Sequence, residues 1–231
     1  GGVNSYVAVC RYNTNGTLDN SFGTGGLSTF LIQTTPPGGP SITANSLVIQ
    51  PNGSIVVCGY VLDKTASFYQ IFVVRFNSSG ILDTTFSAPN GYIFITPSMF
   101  AASYPSNGFT ECYVESVQID TGINPNKIVI GGYARGVVPP SVVPINFFAL
   151  ARLDLNGTLD SSFGVNGLVA KNFTGLDEFG FSLAIGLGNY FLAGRQGMTT
   201  PTYKFILSKF DNLGNKLQET CTGVNCLKDD F

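Results

Sequence analysis

The chain has 231 residues, enough to bury a substantial core in one or two domains. Charged residues make up only 11% and hydrophobic residues 44%, which excludes general disorder. A net charge of −2 leaves no basic footprint for nucleic acid, and no apolar run approaches the roughly 18 residues of a membrane-spanning helix.

The amino-terminal GGVNSY has neither methionine nor a leader-like segment and reads as a trimmed start. Tyr6 to Gly26, YVAVCRYNTNGTLDNSFGTGG, is the first of four related stretches. The others are Tyr69 to Gly91, Phe147 to Gly167 and a degraded copy from Lys204 to Gln218. Aligned on Arg11, Arg75, Arg152 and Lys209, each has a glycine five positions on: Gly16, Gly80, Gly157 and Gly214. The first three add an aspartate (Asp19, Asp83, Asp160) and a phenylalanine (Phe22, Phe86, Phe163). Asn13, Asn77, Asp154 and Asp211 stand three residues before the glycines. That is a type I turn with a left-handed glycine after it, so each copy predicts a strand, a tight turn and a returning strand.

A second unit alternates with the first: Asn45 to Tyr60, Val114 to Tyr133 and Phe181 to Arg195. Gln50-Pro-Asn-Gly53 is again a type I turn, and Gly59, Gly132 and Gly194 are read as closing these strands. One repeat is therefore two hairpins, four antiparallel strands a to d. Phe148 and Leu150 share a side with Arg152, while Ala149, Ala151 and Leu153 take the other; Ile71 and Val73 oppose Phe72, Val74 and Phe76 in the same way. Strands apolar on both sides imply sheets packed on each side.

The fold class is thus all-β, antiparallel four-stranded blades of a propeller-like repeat array. The chain reads as a single repeat domain over residues 1–231: a half unit at 3–32, units at 45–96, 113–172 and 181–220, and a tail at 221–231. Three units and a half look like a piece of a longer array or a protomer completed by a neighbour. Tight turns lie on one rim and the variable, proline-rich connections on the other, where function is expected.

These residues resemble the delta-60 repeat family, whose tandem segments read RYN-x-DG-x-LD-x-SFG-x-GG and IQ-x-DGKIVVAG. The resemblance covers nearly the whole chain. It implies a β-propeller-like array in bacterial or viral surface proteins, and no catalytic residues. Departures are Ser87-Ala-Pro-Asn90 in the second copy and the missing Asp and Phe in the last.

The repeated Arg and Asp are read as structural pairs, since an active site is needed once and a structural pair once per blade. A partly exposed ion pair contributes only ~0–1 kcal/mol and a buried Phe ~1.5–3 kcal/mol. The phenylalanine is thus predicted to lock the returning strand. Small core residues align with Cys10 and Cys58, which predicts buried thiols and leaves Cys112 over; Cys221 and Cys226 are candidates for a small disulfide. The turn at Asp154 fails the spacing of a calcium loop, and no histidine is present for zinc or a nucleophilic triad. No metal or cofactor is expected.

Glu111 with Glu115, and Asp177 with Glu178, are the carboxylate pairs a hydrolase would need, but solvated loop charges explain them. Met99, Phe100, Tyr104, Phe109, Pro139, Pro140, Val142 and Val143 form the candidate interface, against the alternative that they fold back over the core. Five Asn-x-Ser/Thr sequons begin at Asn15, Asn52, Asn77, Asn156 and Asn172. The expected role is a non-enzymatic structural or protein-contact module, extracellular or on a cell or virion surface. Its partners are a protein or further copies of itself, without membrane insertion. A glycan-binding module using rim aromatics and a carboxylate-dependent hydrolase are the alternatives.

Overall fold

The computed structural model describes residues 6–32, 41–104, 108–123, 125–197 and 204–221. Fourteen strands build it. The half blade is β1 (Val7–Cys10) with β2 (Leu27–Phe30). The first full blade is β3 (Ile42–Ile49), β4 (Ile55–Asp63), β5 (Phe68–Phe76) and β6 (Tyr92–Ile95). The second is β7 (Phe109–Asp120), β8 (Lys127–Val137), β9 (Pro144–Asp154) and β10 (Leu168–Lys171). The third is β11 (Asp177–Gly186), β12 (Asn189–Gly197), β13 (Lys204–Asp211) and β14 (Lys216–Cys221). Every pairing is antiparallel and joins neighbours in sequence. The one helical segment among the described residues is a 3-10 turn at Pro97–Ser103, and no helix there is long and apolar enough to cross a membrane.

Three hydrophobic seams hold the blades face to face. Val7, Val9 and Phe22 of the half blade meet Val57, Phe72, Val74 and Phe76. Ile71 and Val73, from the opposite side of β5, meet Val114, Ala149, Ala151 and Leu153. Phe148 and Leu150, from the opposite side of β9, meet Leu183, Leu192, Ile206 and Phe210. Each central strand is thus sandwiched, which is why its sequence is apolar at consecutive positions.

Strands β3, β7 and β11 start earlier than the sequence suggests because each carries a bulge that breaks its alternation. The register shifts between Ala44 and Ser46, Val114 and Ser116, and Gly180 and Ser182. Gly59, Gly132 and Gly194 sit opposite these bulges, inside their strands rather than at the ends. A Cβ there would fall 1.9, 2.1 and 1.7 Å from the carbonyl oxygens of Thr43, Tyr113 and Phe179. The glycines admit the bulge; they do not close the strand.

The return from third to fourth strand also differs from the expected hairpin. After the turn at Asn13–Gly16 only the bridge Tyr12–Leu18 forms, and a second turn around Phe22 intervenes before β2. Only the third blade, lacking that Asp and Phe, passes directly from its turn into β14.

Cys58 and Cys112 are buried thiols, but Cys10 is exposed. Its aligned partners Val74 and Ala151 face the preceding blade; β1 has no preceding blade among the described residues. The Cys221–Cys226 pairing lies outside the described side chains.

Candidate functional site

The recurring Arg, Asp and Phe assemble into one motif that joins successive blades. Arg11 Nε donates to Asp19 Oδ2 at 2.8 Å, Arg75 Nε to Asp83 at 2.9 Å and Arg152 Nε to Asp160 at 2.8 Å. Nη2 of each donates to a hydroxyl two residues past the aspartate: Ser21, Thr85 and Ser162. The guanidinium carbons lie 4.8, 4.9 and 4.7 Å from the ring centroids of Phe22, Phe86 and Phe163. Nη1 reaches across the seam to a carbonyl of the next blade's turn: Ser78, Leu155 and Asn212.

The phenylalanine crosses too. All three rings are fully buried and rest on Gly80, Gly157 and Gly214 of the following blade, where a Cβ would come within 2.9–3.0 Å of the ring. The amides that follow donate across the seam, Gly23 to Ser79 at 2.8 Å, Ser87 to Asn156 at 2.7 Å and Gly164 to Leu213 at 2.8 Å. The phenylalanine therefore locks one blade to the next rather than a strand to its own hairpin. Substituting Ser87-Ala-Pro-Asn90 in the second copy preserves this backbone bond, because the bond asks only for an N–H.

Burial of the ion pair deepens along the chain. Arg11 and Asp19 side chains are 37% and 23% exposed, whereas Arg152 and Asp160 are 3% and 8%. The last pair is not the partly exposed bridge expected from sequence. Lys127 adds contacts to Asp154 and Asp160, and Tyr190 donates to Asp120 at 2.8 Å while accepting from Arg152 Nη1 at 3.0 Å. Burial works against the Asp160 carboxylate, but the Ser162 hydroxyl and amide, Lys127 and Arg152 outweigh it and hold its pKa down to about 2. Burial raises the Tyr190 hydroxyl to about 12.

The proposed contact residues divide. Phe100 and Phe109 are buried in the middle seam, with ring centroids 6.1 Å apart, and Tyr104 packs edge-on against Phe147 at 4.9 Å. Met99, Pro139, Pro140, Val142 and Val143 are exposed, Val142 at 86%. Tyr104, Pro139, Pro140, Val143 and Phe173 line a rim groove of about 630 Å³.

Sequence reasoning missed a second feature, an aromatic belt running across β4, β5, β7, β8 and β11. Tyr69 and Tyr60 lie 5.7 Å apart, Tyr60 and Tyr113 4.9 Å, Tyr113 and Tyr133 4.8 Å, Tyr133 and Phe179 5.1 Å, and Phe179 and Phe181 6.3 Å. Arg195 stands over Phe179 and Phe181 at 4.6 and 5.7 Å. The belt spans three blades. One signal was available: Tyr60, Tyr133 and Arg195 each follow the glycine that faces a bulge.

The bulges set the belt's polar edge. Asn45 Nδ2 donates to Val114 O at 2.9 Å and to Glu115 Oε2 at 2.7 Å. Burial raises the Glu115 carboxyl, partly offset by Asn45. Burial and Glu111 push the Tyr113 hydroxyl up. Asp177 and Glu178 are not solvated loop charges. Asp177 accepts from Asn146 N and Nδ2, both at 2.8 Å, and Glu178, fully buried, accepts from Phe173 N, Thr174 N and Thr174 Oγ1.

A family model described as a domain of unknown function (DUF5122), β-propeller, matches residues 2–22, 50–86 and 126–163. Each matched stretch ends on a seam phenylalanine, Phe22, Phe86 or Phe163. No curated protein matches the chain. The match and the antiparallel sheets together support a β-propeller-like repeat.

Proposed function

We propose that the chain is a non-enzymatic structural and protein-contact module of the delta-60 repeat kind, working in an extracellular, cell-surface or virion assembly. The observation carrying this reading is the use of the repeated charged side chains. Arg11, Arg75 and Arg152 spend their guanidinium groups on an aspartate, a hydroxyl, a phenylalanine ring and the next blade's backbone. Asp177 accepts from the backbone and side-chain amides of Asn146 on β9, and Glu178 from the amides of Phe173 and Thr174 in the loop before its own strand. The exposed Val142 and Val143, beside Pro139 and Pro140, supply the apolar surface for a partner.

Native mass spectrometry of the full chain over a range of concentrations tests the reading, alone and with material from its source. A defined complex that is lost in Val142→Asp/Val143→Asp, with circular dichroism unchanged, is expected. A chain that forms no complex under any condition, or that hydrolyses a glycoside or ester, would overturn it.

The aromatic belt favours glycan binding as a second reading, because stacked rings bordered by Glu111, Glu115 and Arg195 offer both faces and polar groups for a sugar. A glycan array separates the two readings: a hit abolished by Tyr133→Ala and unaffected by Val142→Asp supports the second.

A further inference from the structure

We propose that the turn at residues 13–16 and the outward side of β1 form a socket for one more blade, a partner blade carrying the Arg…Asp-x-Ser/Thr-Phe motif. This goes beyond the contact surface described above and rests on different residues. Three seams within the chain show what such a socket accepts. At each, a Phe ring lies on the glycine of the following turn, an amide after that Phe binds the carbonyl before the glycine, and an Arg Nη1 binds the carbonyl before that.

Gly16 is the fourth member of the set. Its φ is +83°, against +82°, +89° and +84° for Gly80, Gly157 and Gly214, and its N–H closes the same turn to Asn13 O at 2.9 Å. The other three glycines are buried under a ring; Gly16 is exposed, with no atom within 4 Å of where a Cβ would stand. By register, the Thr14 carbonyl occupies the place of Ser78 and Leu155, and the Asn15 carbonyl that of Ser79 and Asn156. Both residues are exposed.

The neighbouring sheet agrees. Ala8, Cys10 and Tyr12 are exposed. Their counterparts Phe72, Val74 and Phe76, and Ala149, Ala151 and Leu153, are at most 3% exposed beneath a preceding blade. The occupant must bring both the phenylalanine and the arginine. The chain's own last blade offers neither, having Lys209 at the arginine position and β14 directly after its turn. The occupant is therefore a repeat unit that carries the full motif, unlike the β11–β14 blade.

The probe is a variant of this chain given the missing motif: Lys209→Arg, with the sequence of residues 158–171 grafted after Gly214. It also carries Gly16→Asn, so that its own socket is closed. Asn tolerates the left-handed conformation and meets open space at position 16, so this change leaves the fold intact. Sedimentation of probe with the wild-type chain is expected to give a 1:1 complex, lost when the wild-type partner also carries Gly16→Asn.

A second measurement needs no graft. A synthetic peptide of residues 152–167 is expected to slow thiol labelling of Cys10 in the wild-type chain roughly tenfold when the site is about nine-tenths occupied. The Phe163→Ala peptide should have no effect. Absence of binding by both probes, binding that survives Gly16→Asn, or equal protection by the two peptides would each overturn the proposal.

Discussion

At the scale of single residues, the seam motif divides its energy unequally between charge and ring. Phe163 is fully buried against Gly214 and Tyr190, so Phe163→Ala is expected to cost ~3–5 kcal/mol in chemical denaturation. Asp160→Asn leaves the buried Arg152 without its carboxylate and the partly buried Lys127 with Asp154 alone, and should approach the same cost, ~3–5 kcal/mol. Asp19→Asn, at the exposed end of the series, should cost under ~1 kcal/mol. A flat response across the two aspartates would refute the burial gradient. The Asp160 pKa adds a signed pH dependence. Its folded value, about 2, lies below the ordinary 3.8. The stability it contributes, ~2 kcal/mol, is present above pH 3.8 and is lost as pH falls through 2. Asp160→Asn should flatten the acid limb of the stability curve in that window.

At the scale of elements, sequence made the blades legible and left their joints obscure. Apolar residues at consecutive positions of β5 and β9 told that both sides were covered, and the turn glycines placed the hairpins. A motif recurring once per unit looks the same whether it acts within a unit or between units, so the direction in which Phe22, Phe86 and Phe163 act could not be read. Gly59, Gly132 and Gly194 misled for a related reason: a bulge destroys the alternation that would reveal the strand running through it. Gly132→Ala tests this account. Its Cβ would meet Tyr113 backbone atoms, so a loss of ~1–3 kcal/mol or more is expected. Gly186→Ala, in open space at the end of β11 with an ordinary φ, should be neutral or stabilising by ~0.4–1 kcal/mol. Cys10 shows the complementary limit, since its exposure depends on its place in the array and not on its repeat position.

At the scale of the whole molecule, the three seams make stability close to one-dimensional, with each blade supported by its neighbours in sequence. The blades are not equivalent in that scheme. The second is covered on both sides, whereas the third offers Phe205 and Leu217 to solvent at 50% and 53%. Its counterparts of Phe205, Ile71 and Phe148, are buried in seams. Leu192, fully buried in the last seam, is therefore the place to separate local from global unfolding. Leu192→Ala removes packing worth ~2–5 kcal/mol at the seam that joins β11 to β14 to the second blade. Native-state hydrogen exchange should show those strands opening at lower free energy while β4 and β5 keep their protection. Phe147→Ala, in the middle seam between two full blades, should instead weaken strands on both sides. If both substitutions lower protection uniformly across the chain, the blades fold as one cooperative unit and the seam-by-seam account fails.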